Sequence, residues 1–369
     1  MTSSATSSAI LARPEARPIN SGGDPWGTHR ALDPKGSLPQ PAQRVDNDFS
    51  RLFEGEMLLA VETLNVDAAS FVQMEQASGG GTAGVEQRVA RMVEETVHAR
   101  GKQHNPVTGS GGMLLGRVLR LAPGRPEGER VAIGDRVASL VSLSLTPLRI
   151  DRVGDVRRAS AQLDIEGEAV LFASGAYAKL PSDMPERLAL AVLDVAGAAP
   201  QVARLVRPGA TVVVLGAGGK SGILCVAEAR RCGGPSARIV GVESFAAAAD
   251  DLRALGLCDA VVAVDARDPV RARATVLEAT GGLEADVTFS CVNVPDAEMA
   301  AILVTKDRGT VYYFAMSTSF TKAALGAEGV GKDVDLFVGN GYARGHAEHS
   351  LAMLREMPAI RALFEKRYG

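Results

Sequence analysis

Thr211-Val212-Val213-Val214-Leu215-Gly216-Ala217-Gly218-Gly219-Lys220-Ser221-Gly222 is a β-branched run feeding directly into closely spaced glycines, and the helix-compatible segment Ile223 to Arg231 follows. Strand, glycine turn and helix in that order suit a dinucleotide pyrophosphate. Gly216 permits the tight turn, and Gly218 lets the backbone approach the phosphates with no Cβ in the way. The helix opening after Gly219 offers unpaired N–H groups and a partial positive charge, with Lys220 and Ser221 at its start. Ser221 stands where the G-x-G-x-x-G pattern has its third glycine, a departure that a small residue tolerates. Glycine clusters also make ordinary turns. The flanking strand and helix are what favour nucleotide binding over a plain βα turn.

The next apolar run, Arg238-Ile239-Val240-Gly241-Val242-Glu243, reads as a parallel strand ending in a carboxylate. An acid there accepts hydrogen bonds from the adenosine ribose hydroxyls and disfavours a 2′-phosphate. Glu243 falls beyond the usual spacing of about 20 residues, and the insert Cys232 to Ala237 accounts for the extra length. A solvated strand-end glutamate is the plain alternative. NAD is therefore the expected cofactor, with NADP possible.

The chain of 369 residues is long enough for two domains. Hydrophobic residues make up 46%, yet no apolar run approaches a membrane span, so no membrane partner is expected. A net charge of −3 with no concentrated basic stripe, and an aromatic content of 4%, argue against a nucleic-acid partner. Cys225, Cys232, Cys258 and Cys291 show no CxxC spacing and no clustering with histidine. Free thiols in a reducing cytoplasm are expected, and no metal site. Residues 1–28, dominated by Ser, Ala, Thr, Pro and Gly, read as a disordered tail. Met1 to Arg17 has few acids and two arginines but no clear amphipathic pattern of an import signal, and no secretory signal is evident.

After the tail the first half reads as β-rich with glycine corners. Met57 to Leu64, Met113 to Leu119 and Ile133 to Val141 are strand or turn-and-strand segments. Asp67 to Gln76 is a short helical or turn region, and Val89, Met92, Val93 and Val97 mark a helix over Val85 to Arg100. Beyond Pro181 the character changes. Pro185 to Leu205 is alanine-rich and helical, and strands at 211–215, 238–242, 260–264, 285–292 and 309–315 alternate with helices. That alternation predicts a doubly wound parallel sheet. Met353 to Phe364 closes the chain as an amphipathic helix, with His346 and His349 expected to face solvent.

Landmarks in this order resemble the medium-chain dehydrogenase/reductase superfamily. They are Ile133-Gly134-Asp135-Arg136-Val137, then Val206 to Val212 leading into Gly216, and Thr280-Gly281-Gly282-Leu283-Glu284-Ala285-Asp286-Val287. The resemblance implies a β-rich GroES-like substrate domain over 29–185 and 341–369, and a Rossmann domain over 186–340. Zinc members of the superfamily place a cysteine where Asp67 stands and a Gly-His-Glu motif where this chain has Gly111-Gly112-Met113. A catalytic zinc then has no ligand set, and a zinc-independent enzyme is implied.

Longer blocks are more specific. His104 to Met113, Leu140 to Leu148, Leu193 to Ala198, Ser290 to Pro295 and Ser319 to Asp333 resemble the L-erythro-3,5-diaminohexanoate dehydrogenase family, over roughly residues 30 to 369. The resemblance implies NAD(P)-dependent oxidative deamination of a small diamino acid in lysine fermentation, by a homodimer. The substrate carries two ammonium groups and a carboxylate, so the protein must supply anions, a base and a cation. Asp67, at the superfamily's metal-ligand position, is the first candidate to bind or deprotonate an ammonium; an N-cap is its plain role. Asp194 lies within the apolar run Ala189 to Ala199, where a buried carboxylate needs a cationic partner, either ligand or core salt bridge. His104 is a candidate proton relay, Lys322 a candidate for the substrate carboxylate, and Asn293 a contact for the nicotinamide carboxamide. Gly109, Gly111 and Gly112 read as shape. A zinc-free quinone or enone reductase and a non-catalytic nucleotide-binding protein on the same fold are the competing readings.

Overall fold

The computed structural model describes residues 14–368 apart from 107–108, 127–130, 316 and 340. The chain divides into two compact units, the first ending at Pro181 and the second beginning at Ser182.

The first unit is built on an antiparallel six-stranded sheet. Its strands are β1 (Met57–Asn65), β2 (Met113–Leu121), β3 (Arg136–Ser139), β4 (Leu148–Arg157), β5 (Gln162–Leu171) and β6 (Tyr177–Lys179). They lie in the order β6-β3-β2-β1-β5-β4, so β1 is central, between β2 and β5. Two helices follow β1: α1 (Ala68–Ala77) and α2 (Val85–Arg100). Val85, Val89, Val93 and Val97 recur every fourth residue, and that stripe packs with Met57, Leu59, Val61 and Leu148 of the sheet. Gly101, at φ 70°, ends α2 in the left-handed conformation that a side chain disfavours.

Residues 14–28, expected as part of a free tail, are instead fastened to this unit. Ile19–Asn20 pairs in parallel with Leu52–Phe53. Arg17 is buried and forks onto both oxygens of Glu168, at 2.9 and 2.8 Å. Farther on, Arg30 is wholly buried, bonding Glu56 at 2.6 and 2.8 Å and the carbonyls of Asp48 and Arg51. A guanidinium out of water requires this degree of satisfaction. Composition alone missed it because charged residues, Arg17 to Glu168 and Arg120 to the carbonyls of Pro14 and Arg17, share the anchoring with the apolar contact of Ile19. Met1 to Arg13 lie outside the described residues.

The second unit carries the expected parallel sheet: β7 (Thr211–Leu215), β8 (Arg238–Val242), β9 (Ala260–Val262), β10 (Ala285–Ser290), β11 (Thr305–Tyr313) and β12 (Asp335–Val338). The order is β9-β8-β7-β10-β11-β12, every pairing parallel. Read from β7 as the first strand this is 3-2-1-4-5-6, the doubly wound dinucleotide-binding order. All five residues of β7 are buried, as a central strand covered on both faces requires.

The helical stretch 185–205 divides into α3 (Glu186–Leu193) and α4 (Ala198–Leu205). Between them Gly197 passes so close to Gly341 that a Cβ would lie 2.2 Å from its carbonyl oxygen. The sheet's helices are α5 (Lys220–Gly233), α6 (Ala246–Leu255), α7 (Pro269–Thr280), α8 (Glu298–Val304) and α9 (Phe320–Val330). The closing helix starts earlier than expected and breaks at Pro358, giving α10 (His346–Glu356) and α11 (Pro358–Tyr368). These helices pack on α3, α4, α5 and α6, so 341–368 belongs to the second unit rather than to the substrate domain. His346, expected in solvent, is buried at the start of α10 against Tyr342. Among the described residues no single helix is long and apolar enough to cross a membrane.

The Arg30–Glu56 pair generates a stability prediction. Burial alone would raise the Glu56 carboxyl, but hydrogen bonds from Arg30 and His29 hold it below its ordinary value. Its stabilisation is therefore full above the ordinary carboxylate range and lost as pH falls through the depressed value. Arg30→Ala should destabilise by about 3–5 kcal/mol, read as a lower urea midpoint at neutral pH. An unchanged midpoint would contradict the anchoring role.

Candidate functional site

In the second unit the glycine turn is built as its sequence requires. Gly216 sits at φ 70° and its carbonyl accepts from Gly219 N at 3.2 Å. A Cβ on Gly218 would lie 2.8 Å from both Glu243 Oε2 and Ala248 Cβ. The departure at Ser221 also finds its reason: the glycine that packs helix on strand is Gly222, one position later. A Cβ there would stand 2.1 Å from Gly216 O. Ser221 instead hydrogen-bonds Cys291, whose carbonyl carbon and oxygen lie 3.0 Å from where a Gly216 Cβ would be. Asn293 follows in the same loop after β10 and is exposed.

Glu243 is not a solvated strand end. It is buried, and its carboxylate accepts from Gly218 N through Oε2 and from Phe245 N through Oε1, each at 3.0 Å. Two backbone donors thus fix this carboxylate at the end of β8.

Asp194 corrects an expectation. It ends α3 as its C-cap, so its side chain is 43% exposed rather than buried among alanines, and it pairs with Lys220 Nζ at 3.0 Å. Lys220 also lies over the Tyr368 ring, 5.3 Å from its centroid. Lys322 is likewise engaged: its Nζ bonds Asp296, both side chains are exposed, and the pairing raises the Lys322 ammonium above its ordinary value.

Sequence reasoning missed Arg367. From the last turn of α11 it donates to Gly218 O and to Asp251 Oδ2, at 3.0 and 2.7 Å for the latter. It supports the glycine turn from outside, and a basic last helical turn was its only signal.

In the first unit Asp67 is the N-cap of α1, with Oδ1 accepting from Ser70 N at 2.9 Å. The expected plain role is therefore real. It occupies only one oxygen: Oδ2 is buried and meets no hydrogen-bond partner. Gln103 Oε1 and His104 Nδ1 share that condition. The segment carrying them is held against the end of β1 and the start of α1. Asn105 Nδ2 bonds Gln73 Oε1 at 2.9 Å. Cβ atoms on Gly111 and Gly112 would lie 2.3 Å from Gln103 O and 2.2 Å from Asn65 O, respectively. Gly111 and Gly112 are thus shape, as expected, while around Gly109, at φ 74°, a Cβ would find open space.

Burial, with the charges of Lys102 and Arg100, holds the His104 imidazole below its ordinary value, so it is a neutral acceptor or donor at neutral pH. Lys102, also missed, is wholly buried, its Nζ donating to the carbonyls of Pro39 and Gln40, and burial brings it down to about 8. Among the described residues no three His, Cys, Asp or Glu side chains gather as a metal-ligand group. The four cysteines are free thiols.

A doubly wound sheet, a glycine turn and a buried strand-end carboxylate, on a chain with a β-rich first unit, define an oxidoreductase of the medium-chain dehydrogenase/reductase fold that uses a nicotinamide cofactor. Solved structures agree on the fold. A mycobacterial protein complexed with NADPH and a Pseudomonas syringae quinone oxidoreductase each superpose with TM-score 0.51 at 17% identity, covering 85% of this chain and 89% of theirs. Residues 29–181 match the family model described as the L-erythro-3,5-diaminohexanoate dehydrogenase N-terminal domain. The L-erythro-3,5-diaminohexanoate dehydrogenases of Acetoanaerobium sticklandii and Fusobacterium nucleatum are 50% and 46% identical over 343 residues, 93% of this chain and 98% of each of theirs. The chain belongs to the L-erythro-3,5-diaminohexanoate dehydrogenase family.

Gly218→Ala should push the Glu243 carboxylate from its seat. Loss of a charge-assisted hydrogen bond predicts about tenfold or greater weakening of NADH binding, measured by fluorescence titration, with the circular dichroism spectrum unchanged. Equal affinity would show that Glu243 does not depend on that gap.

Proposed function

We propose that this chain oxidises L-erythro-3,5-diaminohexanoate to 5-amino-3-oxohexanoate and ammonia, with NAD preferred over NADP. The observation that carries the amine chemistry is a group of buried polar atoms with no partner, Asp67 Oδ2, Gln103 Oε1 and His104 Nδ1, with Ser78 Oγ at the far end of α1 the fourth such atom among the described residues. Buried acceptors without donors are rare in folded proteins and suit a ligand rich in N–H groups. An ammonium is such a ligand. Asp67 Oδ2 takes the hydrogen bond or the proton, because an ammonium must lose a proton before its carbon can yield hydride. His104, held neutral, is the second acceptor. Bound nicotinamide supplies the hydride acceptor. The nitrogen lone pair then stabilises the developing cation, and water completes the deamination.

Zinc is not required for this chemistry, and the donor set at Asp67 and Gly111 to Met113 offers one carboxylate where a zinc site needs three or four ligands. The buried Glu243 supports NAD, since a 2′-phosphate would meet a fixed carboxylate. Gly216, Gly218, Gly219, Lys220 and Ser221 hold the pyrophosphate in this reading, with Asn293 near the carboxamide. Lys322 is the candidate for the substrate carboxylate, although Asp296 now holds it. Asp194 is the lesser candidate of the two carboxylates, because Lys220 already pairs with it. Edge strand β12 exposes Phe337 and Val338, which suits pairing with a second copy as a homodimer. The free thiols fit a cytoplasmic setting.

The direct test is NADH and ammonia release from 3,5-diaminohexanoate with EDTA present throughout. Stoichiometric products support the reading; binding of NAD without turnover would send the search to enones and quinones. Asp67→Asn should lower kcat about 100-fold or more with NADH affinity intact, whereas Asp194→Asn should cost less than about tenfold. A reversed ranking would transfer the role to Asp194. If His104 is the base, kcat/KM falls as pH drops through its depressed value, so the acid limb lies below the ordinary histidine range.

A further inference from the structure

We infer that Cys225 and Cys291 form a site of reversible oxidation, which hydrogen peroxide closes to an intrachain disulfide; its effect on cofactor binding rests on the dinucleotide reading of the second unit. The two sulfurs lie 3.7 Å apart. A disulfide has its sulfurs about 2 Å apart, so closure needs a shift of roughly 1.7 Å. Cys225 stands in the second turn of α5 and is buried, whereas Cys291 follows directly after β10 and is partly exposed. An oxidant therefore meets Cys291 first and finds a second thiol behind it.

The surroundings divide the chemistry between the two sulfurs. Hydrogen bonds from Cys225 and Ser221 hold the Cys291 thiol below its ordinary value, which favours the nucleophilic thiolate. Cys225, hydrogen-bonded to Cys291 and buried, is held well above its ordinary value and stays a thiol. The Cys291 sulfur attacks one peroxide oxygen, the O–O bond breaks, water leaves, and a sulfenic acid remains. The Cys225 sulfur then displaces the hydroxyl from that acid, and its own proton leaves with the hydroxyl as a second water. The two thiols are thus oxidised to one disulfide while peroxide is reduced to water. The other cysteines are set up differently. Burial and the Glu228 carboxylate push Cys232 up to about 11, and burial pushes Cys258 up to about 12.

Closure is felt at the glycine turn. The Cys291 N–H donates to Leu215 O at 2.9 Å, and the Cys291 carbonyl lies 3.0 Å from where a Gly216 Cβ would be. Cys225 rides on the helix that opens at Lys220. Drawing the sulfurs together therefore pulls either α5 or the loop that leads to Asn293 away from the arrangement around Gly216, because a close-packed interior transmits such a shift.

Peroxide treatment of the full chain, then alkylation and peptide mapping, should show a peptide pair joined at 225 and 291 that dithiothreitol separates. The oxidised protein should bind NADH about 10- to 100-fold more weakly in a fluorescence titration, the scale of a misplacement of about 1 Å. Cys225→Ala should keep its NADH affinity through the same treatment, and Cys232→Ser should lose it as the unaltered chain does. The mapping uses the natural sequence, so it decides the disulfide even where Cys225→Ala fails to fold. Absence of the joined peptides overturns the inference, as does an equal loss of affinity in peroxide-treated Cys225→Ala. A joined pair with unchanged NADH affinity overturns the link to the cofactor. If the untreated chain binds no NADH, the dinucleotide reading fails, while the joined peptides still decide the oxidation site.

Discussion

The carboxylate of Glu243 is the constraint on which the second unit's chemistry depends. It is buried, and a buried charge must be satisfied or it is expelled. Its two partners come from different segments: Gly218 N in the turn after β7, and Phe245 N at the start of α6. One side chain therefore ties the glycine turn to the chain leaving the neighbouring strand. Two glycines make this possible. Gly218 leaves the gap into which the carboxylate reaches, and a Cβ on Gly241 would stand 2.6 Å from Leu252 Cδ2, so its absence lets α6 close down on β8. Arg367 donates to the Gly218 carbonyl and is held in turn by Asp251.

The parts of this that were legible in the sequence are those whose signals are local. A run of β-branched residues ending in glycines announces a buried parallel strand and its turn, and Val85, Val89, Val93 and Val97 announce a helix face, because period and turn chemistry act within a few residues. Asp194 was misread for a related reason. Its apolar neighbours gave no cue that α3 ends at that residue, and a helix end exposes a side chain that the same residue one turn earlier would bury. The charged strands β4 and β5 escaped notice because their outward residues pair across the ladder, as Arg152 does with Glu166, rather than alternating with apolar ones. Arg367 could not be foreseen: its partner Gly218 lies 149 residues away in the chain.

The first unit shows how to weigh the acceptors at Asp67, Gln103 and His104. This unit elsewhere satisfies its buried charges thoroughly. Arg17 is matched to Glu168, Arg30 to Glu56 with backbone carbonyls besides, and even Lys102 donates to two carbonyls. Against that background, the unpartnered buried atoms of Asp67, Gln103 and His104, on two adjoining segments, stand out, Ser78 Oγ being the other such atom among the described residues. The glycines that hold those segments together leave no space for a Cβ, so the segments cannot relax to find partners of their own.

Lys102 sharpens the point. Its ammonium donates to two backbone carbonyls, and its charge, after burial, helps to lower the His104 imidazole from its ordinary value. A neutral imidazole keeps one ring nitrogen that can accept. Burial first, and the charges of Lys102 and Arg100 after it, thus favour the neutral imidazole that the proposed ammonium ligand calls for.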